Sequence, residues 1–147
     1  MQTVEGATVD IGSRSEFFKN TQKPYGKQGK DYKRWALTRE QAWQFMKTGN
    51  FPQAETTWRN VLALDPEDDL AHYNLGLTLV ELKRFEEAIA SFQASFQQSK
   101  QLTFYPDALF QIGQAFAKLQ QWQQAIVYYQ QVLDIQHLKE EDFYALN

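Results

Sequence analysis

Three stretches of the chain repeat one spacing of apolar positions. In each, an aromatic residue stands three places before an alanine: Phe51 before Ala54, Phe85 before Ala88 and Trp122 before Ala125. Four residues past each alanine comes a second large aromatic, Trp58, Phe92 and Tyr129, and four more bring Leu62, Phe96 and Leu133. A four-residue step keeps side chains on one helical face, whereas a strand needs alternation, so each stretch is predicted to be an amphipathic helix. Upstream of each lies a second helical pattern, in which Gln41-Ala42, Leu75-Gly76 and Ile112-Gly113 precede Phe45, Leu79 and Phe116 by the same step. The small residue there lets a neighbouring helix come close. The predicted unit is helix, tight turn, helix, with Ala54, Ala88 and Ala125 separated by 34 and 37 residues. Self-similarity at such periods marks a stacked repeat.

These units resemble tetratricopeptide repeats. Ala71-His72-Tyr73-Asn74-Leu75-Gly76 through Phe85, Ala88 and Phe92 fits the family pattern best. The first unit has Gln41-Ala42 for the usual leucine-glycine pair but keeps Asp65-Pro66 at its end, and the third reaches His137 where that proline is expected. The resemblance implies an all-α fold: a right-handed α-solenoid of three helix-turn-helix repeats over residues 35–68, 69–105 and 106–137. Local chemistry supplies boundaries. Thr38 with Gln41 reads as a capping box opening the first helix, while Pro52 and Pro106 suit first turns. Asp65, Glu67, Asp68 and Asp69 place negative charge at a helix amino end, where the helix dipole favours it. The three extra residues of the second unit are expected to lengthen its last helix or its exit loop, Thr103-Phe104-Tyr105. Residues 138–147 are expected to form a short C-terminal capping helix, with Phe143 and Leu146 at the apolar places. If that cap is insufficient, the exposed end meets another subunit or a partner.

Charge divides the chain further. From Arg14 to Arg34 there are seven basic residues (Arg14, Lys19, Lys23, Lys27, Lys30, Lys33, Arg34) and two acidic ones, giving +5; from Trp35 onward eight basic and fourteen acidic residues give −6. Pro24, Gly26 and Gly29 punctuate the basic stretch, which shows no sustained apolar period. Residues 1–34 therefore read as a largely irregular basic arm ahead of a repeat domain beginning near Trp35.

Catalytic chemistry finds little footing. There is no cysteine, and the two histidines, His72 and His137, are far apart in sequence, which removes thiolate chemistry and an obvious metal cluster. His72 is expected to be packed or half-buried, and His137 to sit at a helix exit. Gly26-Lys27-Gln28-Gly29-Lys30 lacks the P-loop spacing, and the acidic cluster lacks the glycine and distal glutamate of a calcium loop. The reading is a protein without metal or cofactor, not an enzyme. It is taken as cytoplasmic, with no run of apolar residues long enough to span a membrane.

In the resembled family the first helices of successive repeats line a groove for a partner segment. Carried over, this implies Arg39, Trp43, Met46 and Lys47 from the first unit, Tyr73, Asn74, Leu77, Val80 and Glu81 from the second, and Phe110, Gln114, Ala117 and Lys118 from the third. The competing reading packs Trp43, Tyr73 and Phe110 between helices or covers them with the protein's own amino-terminal segment. Chaperone-binding members clamp a terminal carboxylate; Arg39 and Asn74 match that clamp, but Trp43, Asp107 and Gln111 replace the rest, which argues against a heat-shock chaperone tail. The expected function is a protein-interaction module, an adaptor or assembly factor or chaperone for a multi-subunit complex, with the arm as a second contact. By analogy with small members of bacteria and chloroplasts, that complex could be photosynthetic. The alternatives are a nucleic-acid or lipid-surface protein working through its basic tail, with peripheral membrane contact, and a secretion-chaperone-like protein that dimerises through the arm.

Overall fold

Helix formation begins earlier than the charge pattern suggests. In the computed structural model, which describes residues 29–97 and 103–145, six helices follow one another: α1 (Gly29–Lys47), α2 (Phe51–Leu64), α3 (Asp69–Glu81), α4 (Phe85–Ser95), α5 (Tyr105–Lys118) and α6 (Trp122–Ala145). Each packs chiefly on its neighbours in sequence, α1 on α2, α3 on α4 and α5 on α6, with α2 on α3 and α4 on α5 joining the pairs. The described residues are all-helical, three helix-turn-helix units stacked in order. No helix among them is long and apolar enough to cross a membrane.

The boundary expected near Trp35 is corrected by α1. Lys30, Lys33 and Arg34 belong to that helix, not to an irregular arm, while Arg14, Lys19, Lys23 and Lys27 lie outside the described residues. Beyond Gly29 no breaker interrupts the chain, and Tyr32, Trp35, Arg39 and Ala42 extend one apolar stripe at helical spacing. The Tyr32 and Trp35 rings stack at 5.4 Å, and Trp35 is 2% exposed. Thr38 does not cap anything: in mid-helix its Oγ1 donates to the Arg34 carbonyl at 2.6 Å.

The three turns within units are built alike. Gly49, Lys83 and Gln120, equivalent in the repeat, have φ of 78°, 60° and 60°. In each, that residue's N–H bonds back three residues, to Met46, Val80 and Ala117, and the next N–H bonds back five, to Phe45, Leu79 and Phe116, all at 2.8–3.0 Å. This is the left-handed closure that satisfies a helix's last carbonyls and favours glycine. Only the first unit has it. Lys83→Gly and Gln120→Gly are each expected to raise the unfolding free energy by about 0.5–1 kcal/mol, since a left-handed non-glycine residue costs about 1–2 kcal/mol and glycine loses part of that to chain entropy. Urea unfolding checks this, and an unchanged or lowered midpoint contradicts it.

Small residues set how closely the helices of a pair approach. A Cβ added at Gly76 would lie 2.6 Å from the Phe92 ring, and one at Gly113 2.7 Å from the Tyr129 ring. In the first unit Ala42 is completely buried beside a buried Trp58. Trp35, Trp58, Phe92, Leu79, Leu109 and Ile112 are the largest apolar side chains fully removed from water.

At the helix ends the structure chooses between two expected alternatives and corrects a third expectation. α4 stops at Ser95, three residues short of where α2 stops in the repeat register, so the added residues of the second unit fall in the connection and do not extend the helix. Phe104 in that connection is buried, 4.9 Å from the Tyr73 ring, before Pro106 opens α5. At the other end α6 runs unbroken for 24 residues, so no separate capping helix follows His137. No proline interrupts it there, and Lys139, Glu140 and Glu141 are good helix formers. His137 is therefore mid-helix, its Nε2 3.2 Å from Glu141 Oε1. Leu146 lies outside the described residues.

Candidate functional site

The site is anchored by one residue that the spacing analysis assigned only a local role. Asp68 caps α3, its Oδ1 accepting the Ala71 N–H at 3.0 Å. Its Oδ2 accepts the Trp35 indole N–H at 2.9 Å and lies 3.2 Å from Arg39 Nε. A carboxylate that caps one helix thus ties down an indole and a guanidinium of another, 33 and 29 positions earlier. The Arg39 guanidinium also lies over the Trp35 ring, 4.6 Å from its centroid. Burial pushes the Arg39 pKa down, with Asp68 and Asp65 holding the charge in place against it. Asp68 ahead of an amphipathic run is legible as a cap; its partners across the fold are not.

Neighbouring acids are less comfortable than the helix dipole alone suggests. Burial, and then the charges of Asp68, Asp65 and Glu67, push the Asp69 carboxyl up to about 6. Between its ordinary value and that one, the folded chain holds a proton that the unfolded chain releases. Stability contributed here therefore falls as pH rises from 3.8 to about 6, and is level above. The advantage in Tm of Asp69→Asn over the parent protein is expected to be small near the lower end of that window, to grow across it and to be constant at neutral pH. An advantage independent of pH contradicts this. His72, half-buried on the same turn, donates from Nε2 to the Pro66 carbonyl at 2.8 Å.

The groove residues implied by the family pattern separate into two groups. Arg39 and Tyr73 are not open to a ligand: Arg39 is held by Asp68, and Tyr73, 7% exposed, packs against Phe92 at 5.6 Å and Phe104 at 4.9 Å. The second unit's longer connection delivers Phe104 onto that ring, which no repeat spacing foretells. Met46 turns inward too, its Sδ 3.1 Å from the Trp58 indole nitrogen. The others form a mixed surface on the first helices. Trp43, Leu77, Val80 and Ala117 are half-buried, while Lys47, Glu81, Gln114 and Lys118 are exposed. Phe110 is 43% exposed with its ring 5.6 Å from Tyr129.

Asn74 is the chemically unsatisfied member. It is 1% exposed, and neither its side-chain nitrogen nor its oxygen has a hydrogen-bond partner. Buried amides are ordinarily paired, and one left unpaired costs about 1–3 kcal/mol.

The opposite face, on the second helices, is closed by ion pairs. Arg84 reaches Glu55 of α2 at 2.6 Å and Glu87 of α4 at 2.8 Å, and Arg59 bonds Glu55 at 2.8 Å. Burial alone would raise the Glu55 pKa, but hydrogen bonds from Arg84 and Arg59 bring it below its ordinary value. These pairs clip the first unit to the second.

Comparison with known proteins agrees with this architecture. Family models described as tetratricopeptide repeat match residues 39–101 and 106–137. No curated protein sequence matches the chain significantly. Among solved structures, the chain is similar to the second tetratricopeptide domain of Spaghetti (RPAP3) bound to the HSP90 peptide SRMEEVD, with 19% identity and a TM-score of 0.59, covering 80% of this chain and 96% of that one. At that identity the likeness speaks for the fold. With the two matches together spanning well over half of its residues and a repeated helix pair of this geometry, the chain belongs to the tetratricopeptide repeat family.

Proposed function

We propose that the protein is a non-enzymatic adaptor or assembly factor that holds a segment of a partner protein along the first helices, α1, α3 and α5. The family is one of protein-interaction scaffolds, and the Spaghetti domain holds a peptide. The observation that carries the reading is the mixed surface those helices leave open beside the buried Arg39, Tyr73 and Asn74. Trp43, Leu77, Val80 and Phe110 supply its apolar area, and Lys47, Glu81, Gln114 and Lys118 a polar rim.

The ligand differs in kind from the acidic chaperone peptide in the Spaghetti complex. Arg39 already serves Asp68, and Trp43, Asp107 and Gln111 stand where that clamp needs basic or asparagine side chains. An apolar or aromatic partner segment suits the surface better.

Phe110→Ala with Gln114→Ala tests the assignment, because both side chains are exposed on α5. The pair is expected to weaken partner capture by about 10-fold or more and to leave helicity unchanged. Capture as strong as that of the parent protein contradicts the reading.

A second reading, an anionic nucleic-acid or lipid surface, draws on Lys33 and Arg34, which are exposed on α1. Its signature is binding that collapses between about 50 and 200 mM salt and is indifferent to Phe110.

A further inference from the structure

Of the seven large apolar side chains exposed among the described residues, five lie on α6: Trp122, Ile126, Val127, Leu133 and Leu138. The repeat shows what covers these positions elsewhere. Ile89, equivalent to Ile126, is 7% exposed beneath the next unit, whereas Ile126 is 58% exposed; Phe85 and Phe96 are half-buried, whereas Trp122 and Leu133 are 59% and 57% exposed. α6 thus presents the surface on which a unit normally receives another helix.

We infer that a second copy of this chain covers it, with the two α6 helices packed antiparallel about a twofold axis. Trp122, Ile126, Tyr129 and Leu133 follow one another by steps of four, three and four, a spacing that reads the same in both directions. Antiparallel pairing therefore sets Trp122 of each copy against Leu133 of the other, and Ile126 against Tyr129. Charge selects the same direction. The carboxyl-terminal part of α6 carries Glu140, Glu141 and Asp142, its first turn has no acid, and exposed Lys118 stands just before that turn. Antiparallel helices carry the acids of the two copies to opposite ends of the pair; parallel helices would put acids beside acids. Head-to-tail stacking fits less well, because the exposed side of α1 offers only Leu37 among Lys33, Arg34 and Gln41. A twofold pair closes on itself, whereas head-to-tail contact does not.

Sedimentation equilibrium of the full chain at about 100 µM, where micromolar association is complete, is expected to give twice the 17.2 kDa chain mass. Ile126→Glu with Leu133→Glu should weaken the pair by about 100-fold or more, since each carboxylate would be buried against an aromatic ring of the other copy, and leave helicity unchanged because both positions are exposed. A parent protein of single-chain mass overturns the proposal, as does a dimer indifferent to these changes. So does a mass that climbs with concentration and collapses on Leu37→Glu, which would mean head-to-tail stacking.

Discussion

Asp68→Ala is expected to lower the unfolding free energy by about 3–5 kcal/mol, the range for breaking a buried ion pair by removing one partner. Three losses coincide. Arg39 keeps a buried positive charge without its nearest counter-ion, the Trp35 indole N–H loses its acceptor, and α3 loses the side chain that caps it. Asp68→Asn separates them, because an amide oxygen can still cap α3 or accept from Trp35 but cannot balance the guanidinium; its effect should be intermediate. Arg39→Met in the Asp68→Ala background should recover part of the loss, since it removes the orphaned charge and keeps an apolar stem. Urea unfolding followed by far-ultraviolet circular dichroism measures all four proteins. A single alanine variant with an unchanged midpoint contradicts the account of how α1 is held to α3.

Trp58→Ala is the second large effect, about 3–5 kcal/mol, because truncating a fully buried aromatic leaves a cavity that helix packing closes only in part. Trp58 is 1% exposed and its indole nitrogen lies 3.1 Å from Met46 Sδ. It occupies the place that Phe92 takes against Gly76 in the second unit and Tyr129 against Gly113 in the third. A thermal midpoint unchanged within error would contradict the alignment of the three units.

What the sequence disclosed was periodic and local. The step of four from Ala54, Ala88 and Ala125 depends on nearest turns of one helix, so it located α2, α4 and α6, and Pro52 and Pro106 marked first turns because their backbone is preset for them. What it concealed was of two kinds. Some residues act across the fold: Asp68 reaches Trp35 and Arg39, and Phe104 seals Tyr73 from a connection whose path no spacing encodes. Others turn on weak local signals. Charge made residues 30–34 look irregular although Tyr32 already carries the stripe of α1, and the left-handed turn is signalled by glycine only at Gly49, since Lys83 and Gln120 adopt the same backbone unannounced. The end of α6 turns on an absence: with no proline after His137, nothing stops the helix there.

The groove shows the same division. Exposed positions such as Phe110 and Lys118 follow from helix phase, but the burial of Arg39 and Tyr73 needed the packed partners.

Whether the first-helix face holds a protein segment is decided by capture from native lysate at moderate salt, with the full chain as bait beside a Phe110→Ala, Gln114→Ala variant of equal helicity, and identification by mass spectrometry of what differs. A discrete protein is expected to be retained by the parent chain and lost with the variant. The same protein, nucleic acid or lipid recovered equally by both baits would contradict it and move the function away from this face.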